Sequence, residues 1–282
     1  MPIATFRPRL VLGLLAFCAA IDAGAATETV SAWSPGRYSS ARLIDGGLAK
    51  PAAANAWRAG LEIRLATGWK TYWRYPGDSG VPLRIDFSAS ENVRSVDVLW
   101  PAPMRFEDGG GTSIGYAQDV VLPLRIEARE HGQAVHLRLN VDYAVCEKLC
   151  VPVDASLELR LDPKASPSTA LEMSEARVPR RTQVGDDGPL AILSVRKDAN
   201  TSTRMIVDVK SPAGERSDLF VEGPDADWAL PVPELLEDAP GNVRRFGFSL
   251  DGAPPGKSFA GAALRLTAAG PSAAIETIVY LD

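Results

Sequence analysis

One stretch constrains the fold more than any other: AVHLRLNVDYAVCEKLCVPVDASLELRL, residues 134–161. Its first half places Val135, Leu137, Leu139, Val141, Tyr143 and Val145 at alternate positions, and its second half does the same with Val151, Val153, Ala155, Leu157, Leu159 and Leu161. A period of two is that of a strand with one buried face. With Glu147, Lys148 and Leu149 as a three-residue hairpin loop, residues whose numbers sum to 296 oppose one another, so every odd residue meets an odd one. Both apolar rows then face one core. The register also sets Arg138 opposite Glu158, a favourable pair, and Asp142 opposite Asp154, a mismatch that predicts exposure or local distortion there.

In this register Cys146 and Cys150 lie directly opposite each other, at the loop end and on the even, polar face. Directly opposed strand residues have Cα atoms about 4.5 to 5.5 Å apart, a span that a disulfide tolerates. A helix would also bring a C-x3-C pair to one face, but Pro152 and the β-branched valines argue against one. As a structural staple the bond returns little: a loop of about five residues gives about 2 kcal/mol by chain-entropy arithmetic. The spacing therefore favours a redox-active pair and leaves the staple open. Within the loop Lys148 favours a thiolate and Glu147 opposes it, so no direction of pKa shift follows.

Similar alternation recurs along the chain. From Trp57 to Leu65 the odd positions are apolar, and the pattern returns in Val120, Leu122, Leu124 and Ile126 and in shorter runs at Pro82 to Phe87 and Val93 to Trp100. Short strands separated by Gly, Pro, Ser and Asn clusters predict a β-sandwich. Between Asp162 and Gly188 the composition turns to Pro, Ser, Arg and Asp, with one helix expected from an N-cap at Ser166 and Pro167 in its first turn. Strand-like runs resume at Leu190 to Val195, Arg204 to Val209, Asp218 to Val221, Val243 to Leu250, Ala262 to Thr267 and Ala274 to Leu281. The fold expected is all-β: two immunoglobulin-like β-sandwich domains, residues 26–162 and 189–282, joined by a linker at 163–188 that carries the helix. The second domain has no cysteine, no histidine and no polar cluster of recognisable spacing, and reads as a scaffold or docking domain.

The N-terminus fixes the compartment. Arg7 and Arg9 precede an apolar run from Leu10 to Ile21 and then Ala23-Gly24-Ala25, the pattern of a secretory signal peptide over residues 1–25. The run is about half of the roughly 20 apolar residues a membrane-spanning helix needs. Of the three cysteines, Cys18 lies in the signal, and export leaves Cys146 and Cys150 in an oxidising compartment. Removing Arg7, Arg9 and Asp22 moves the formal net charge from −5 to −6, a mildly acidic surface that argues against nucleic acid as a partner. His131 and His136 read as surface residues, and Trp69, Trp73 and Trp100 as core or support.

Three segments resemble one family. GWKTYWRYPGDSGVPLRIDF at 68–87, VLWPAPMRFEDGGGTSIGYAQDVVLPL at 98–124 and VDYAVCEKLCVPV at 141–153 are similar to the N-terminal periplasmic domain of the DsbD disulfide reductase and its relative ScsB. The second sandwich resembles, more weakly, the extra domain of ScsB-type proteins. The resemblance implies an immunoglobulin-like domain that takes electrons from a thioredoxin-like or membrane donor and passes them to oxidised periplasmic proteins. It implies that Cys146 and Cys150 are the redox pair, with Cys150 the sulfur that bonds the partner. It also implies that Phe106 to Tyr116 is a cap shielding the pair. The family's cap phenylalanine aligns with Gly109-Gly110-Gly111, while Phe106 stands a few residues earlier, so either place is open for the shielding group. Glu107 and Asp108 match acidic residues beside that aromatic, and Tyr72 matches an aromatic neighbour of the cysteines; Lys70 stands where a second aromatic is expected. By default Glu107 and Asp108 are solvated loop carboxylates and the glycines a flexible turn.

Thiol-disulfide exchange needs no cofactor, and none is expected; the partners expected are thioredoxin-like periplasmic proteins and a separate membrane electron-transfer protein, with the chain itself a monomer. A rival reading is a Cu(I)-binding module, because two thiolates suit a soft ion. His136 cannot join such a site, since it lies ten residues down the strand from Cys146, roughly 33 Å along an extended chain.

Overall fold

A computed structural model describes residues 1, 29–49, 56–78, 80–108, 111–201 and 203–282. The expected signal peptide, Cys18 included, lies outside the described residues but for Met1, as do Gly109 and Gly110. The chain begins with β1 (Ser34–Pro35), β2 (Ser39–Leu48), β3 (Ala56–Leu65), β4 (Lys70–Gly77), β5 (Arg84–Asp86) and β6 (Val93–Val98). It continues through β7 (Met104–Asp108), β8 (Gly111–Tyr116), β9 (Val120–Ala128), β10 (His136–Cys146) and β11 (Cys150–Arg160) to the helix α1 (Thr169–Ala176). The remainder holds β12 (Arg180–Arg181), β13 (Ala191–Lys197), β14 (Arg204–Lys210), β15 (Asp218–Glu222), β16 (Glu234–Ala239), β17 (Val243–Ser249), β18 (Ala263–Ala269) and β19 (Ala274–Tyr280). The architecture is all-β and immunoglobulin-like.

The hairpin register holds along its whole length. β10 and β11 pair from His136↔Arg160 to Cys146↔Cys150, every pair summing to the value the parity argument requires. Leu137, Val141 and Val145 are fully buried, and Leu157 and Leu159 nearly so. Each apolar side chain taken from water into this core contributes roughly 1.5–3 kcal/mol. Asp142 and Asp154 oppose each other in the exposed row, without a register shift. Solvent screening makes that tolerable, and Arg84 of β5 stands in register beside Asp142.

Two sheets sandwich this core. One runs β1-β2-β3-β9-β6 and the other β11-β10-β4-β8-β7, with β5 on β10. Leu43, Leu61, Ile63, Leu122 and Ile126 of the first sheet meet the odd row of β10 and β11. In the second half of the chain the sheets are β12-β19-β18-β15 and β13-β14-β17-β16, around Val207, Val209, Leu219, Phe246, Leu264 and Leu266. Sequence patterning passed over β16, because its residues Glu234 to Glu237 are exposed on an edge and a bulge interrupts the pairing between Leu235 and Glu237.

Two expectations need correction. The helix starts two residues later than expected: Ser168 is the N-cap, its Oγ accepting from Leu171 N at 3.2 Å. Serines flank Pro167 on both sides, and packing chooses between them by turning Leu171 and Ser174 onto the sheet. Leu171 is fully buried against Ile44 and Val121, and Glu175 pairs with Arg58. His136, read as a surface residue, is 8% exposed and sits between Glu91 and Glu158, with Nε2 at 2.7 Å from Glu158 Oε1. An isolated bridge from Glu91 to His136 lays chain over it.

The two halves share a packed boundary. Phe220 enters the first core beside Trp73, ring centroids 5.9 Å apart, and Tyr75 Oη donates to Leu230 O at 2.6 Å. Arg74 forks onto Glu222 and also reaches Glu276 at 2.6 Å. Burial and the nearby Asp78 and Glu222 carboxylates push the Tyr75 phenol up to about 12. Trp73 is core, as its sequence context suggested, while Trp69 stacks on Tyr38 at 3.8 Å and Trp100 is half-buried at the core's margin.

Leu171 tests whether α1 is docked rather than a loose connector. Leu171→Ala should lower the free energy of unfolding by about 2–4 kcal/mol, the cost of a buried leucine truncation. Urea titration followed by tryptophan fluorescence measures it, and a loss below about 1 kcal/mol would show the helix to be a bystander.

Candidate functional site

The site is built at the loop end of the β10–β11 hairpin, where three turn residues close the register and leave Cys146 and Cys150 paired. Their Cα atoms are 4.2 Å apart and the sulfurs are bonded. Strand order makes the two cysteines unequal. β10 lies between β11 and β4, with Lys70 in register beside Cys146, whereas β11 is the edge strand. Cys146 is accordingly 1% exposed, and Cys150 is exposed together with Glu147, Lys148 and Leu149.

The even face expected to be polar is covered at this end. Cys146, Ala144 and Tyr72 form a small buried cluster of their own, against which Phe106 packs. The cause is the strand order: β8 pairs with β4, β7 pairs with β8, and the hairpin of β7 and β8 brings Phe106 to this cluster. That approach needs Gly115, where a Cβ would stand 2.1 Å from Thr71 O. Tyr72, opposite Gly115 in register, turns its hydroxyl to the disulfide, 2.8 Å from Cys146 Sγ and 3.2 Å from Cys150 Sγ. A phenol O–H placed there donates to sulfur, and its bond strengthens when the sulfur becomes a thiolate.

The other residues singled out from the sequence divide into those brought to the pair and those held elsewhere. Phe106 stands 6.3 Å from the Tyr72 ring, tilted by 35°, and packs against the cluster that holds Cys146. Glu107 is exposed; its carbonyl oxygen is 3.4 Å from Lys70 Nζ and its Oε1 accepts from Thr112 Oγ1 at 3.4 Å, so it touches neither sulfur in any bond found. Asp108 ends β7 and Gly111 starts β8, paired across the tip of the cap hairpin. Tyr116 points its hydroxyl to Pro101 O at 2.8 Å, within the core, and burial raises its pKa strongly; it supports the hairpin's base.

Two contributors were given no role by the sequence reading, which noted Lys70 only as a departure from the family pattern. Lys70 places its ammonium 4.6 Å from the Phe106 ring centroid, a cation–π contact that holds the aromatic in place where the family pattern has a second aromatic. Gly80 lies against Tyr72, where an added Cβ would come within 2.7 Å of the ring. The PGDSG run in which it sits was visible, but nothing in spacing marks it as the floor for an aromatic ring.

For metal binding the described residues offer no group of three or more His, Cys, Asp and Glu side chains. His136 pairs with Arg160 at the far end of the hairpin. No helix among the described residues is long and apolar enough to cross a membrane.

Comparison with known proteins agrees with this geometry. The family described as thiol:disulfide interchange protein DsbD, N-terminal, matches residues 44–162. Among solved structures, the N-terminal periplasmic domain of ScsB from Proteus mirabilis superposes with a TM-score of 0.68 at 20% identity, covering 90% of this chain and 99% of that one. That likeness extends through both sandwiches and concerns the fold. No curated protein matches the chain. With the paired cysteines at the loop end of its hairpin, the first sandwich is a DsbD N-terminal-like domain, and thiol-disulfide exchange is the chemistry its disulfide serves.

Proposed function

We propose that the protein is a periplasmic disulfide reductase component that relays two electrons from a thioredoxin-like or membrane donor to oxidised partner proteins through Cys146 and Cys150. The observation that carries the reading is the inequality of the two sulfurs: one exposed on an edge strand, the other buried and bonded to a phenol. In the reduced state the Cys150 thiolate attacks a partner disulfide, forming a mixed disulfide and releasing one partner thiolate. Cys146 then attacks Cys150 Sγ, re-forming the internal disulfide and releasing the second partner sulfur. The partner gains two electrons and the pair loses them. Recharging runs the same steps backward with a reduced donor.

Tyr72 supports both directions. When the internal bond breaks, the leaving sulfur is a thiolate, and Tyr72 Oη is already within hydrogen-bond distance of both sulfurs. Leu149, 79% exposed at the tip between the cysteines, offers an apolar contact for a docking partner. Phe106, with Glu107, Asp108 and the glycines that follow them, is the cap that shields the pair until a docking partner displaces it. The N-terminal segment exports the chain and is removed near Ala25, and the mature protein acts as a monomer without a cofactor.

Cys146→Ser should accumulate a mixed disulfide through Cys150, because the resolving sulfur is gone, whereas Cys150→Ser should trap far less. Each variant is mixed with oxidised periplasmic extract, quenched in acid and read by non-reducing mass spectrometry. Equal trapping would remove Cys150 as the attacking sulfur; absence of any thiol-linked adduct, with tight stoichiometric Cu(I) binding, would transfer the site to the copper reading.

Tyr72→Phe should slow exchange about tenfold while leaving the fold intact, since one hydrogen bond to a developing thiolate is lost. Stopped-flow reduction by a thioredoxin-like protein measures this, and an unchanged rate would make Tyr72 a packing residue.

A further inference from the structure

The geometry points to Arg105 as a positioning residue: through it the second sandwich grips the cap strand and sets how readily Phe106 leaves the sulfurs. The inference rests on the reading of Phe106 as the cap. Successive strand residues point to opposite sides, so Arg105 and Phe106 leave β7 in opposite directions. Phe106 packs against the buried cluster of Tyr72, Ala144 and Cys146, its ring 6.3 Å from that of Tyr72. Arg105 reaches the second sandwich, where Nε and Nη2 donate to Asp218 Oδ2 and Oδ1 at 2.9 and 2.8 Å, and Nη1 donates to Pro233 O at 2.8 Å. Nη2 also approaches Leu219 O at 3.3 Å. The pair is only 24% and 30% exposed, so solvent screens it incompletely.

The strand held this way is the one that most needs holding. β7 ends its sheet and is hydrogen-bonded within it to β8 alone. β4, which carries Tyr72, is fixed to the second sandwich by Trp73, Arg74 and Tyr75 together. The frame around Tyr72 is therefore anchored through several residues, while among the described residues the polar bonds from the cap strand to the second sandwich all pass through Arg105, chiefly its fork onto Asp218. A bidentate guanidinium–carboxylate pair fixes orientation as well as distance, which a lysine could not do. Asp218 thereby acts on the disulfide from another domain without touching it.

If attack requires an open cap, the observed rate scales with the open fraction, and weakening the fork raises that fraction. The test uses the full chain and the rate at which dithiothreitol reduces the Cys146–Cys150 disulfide. Asp218→Asn should accelerate reduction about three- to tenfold. Phe106→Ala should also accelerate it, and adding Asp218→Asn to Phe106→Ala should bring no further gain, because nothing remains for the clamp to position. A merely structural loosening would instead multiply the two effects, and that result overturns the proposal. Acceleration by Phe106→Ala alone overturns the clamp and leaves the cap standing, whereas no acceleration by Phe106→Ala removes the cap reading beneath it. Thermal unfolding checks each variant; should Asp218→Asn not fold, Arg105→Lys, which keeps the charge and loses the fork, carries the same expectations.

Discussion

The pairing of β10 with β11 is the constraint on which the rest of this molecule depends. Eleven consecutive residue pairs, from His136↔Arg160 to Cys146↔Cys150, keep one parity, so a single register both buries the apolar rows and juxtaposes the sulfurs. A slip by one residue would turn Leu137, Val141 and Val145 to solvent and part the cysteines together. Core stability and redox geometry are thus one property of this hairpin, and the disulfide is held in register by packing far from it.

From that frame the chemistry follows by position in the sheet. A cysteine on an edge strand is open to a partner, and a cysteine one strand inward is shielded by its neighbours. The hairpin of β7 and β8 brings Phe106 against the cluster of Tyr72, Ala144 and Cys146, while β4 brings the Tyr72 hydroxyl to both sulfurs. In the proposed mechanism attack, resolution and shielding are three separate jobs, carried by strands β11, β10 and β7. The phenol on β4 serves whichever sulfur carries charge.

The second sandwich holds no redox group, yet its contacts are not spread at random over the first. The polar ones, through Arg74, Tyr75 and Arg105, fall on β4 and β7, the strands that carry Tyr72 and Phe106. Arginines supply the two charged links because a guanidinium can satisfy a carboxylate through two parallel bonds at a half-buried boundary. In the proposed clamp the second sandwich acts on the disulfide through Arg105 without contributing a reacting group.

Much of this was legible in the residues alone. The alternation in 134–161 determined the hairpin and its register, because side-chain direction in a strand is a local property with a period of two. The resemblance of three segments added the family and the pairing of Tyr72 with the cysteines. The inequality of the sulfurs was not legible, since opposed hairpin residues are equivalent until strand order makes one an edge. Nor was the placement of Phe106: it and the three glycines competed on alignment, and Phe106 meets the cluster of Tyr72, Ala144 and Cys146 only through the pairing of strands far apart in sequence. His136 looked exposed and is buried, because Glu91 comes from another part of the chain to cover it. Local periodicity is written into the chain, whereas burial, strand order and the grip of Asp218 on Arg105 are long-range pairings that exist only once the sheets have formed.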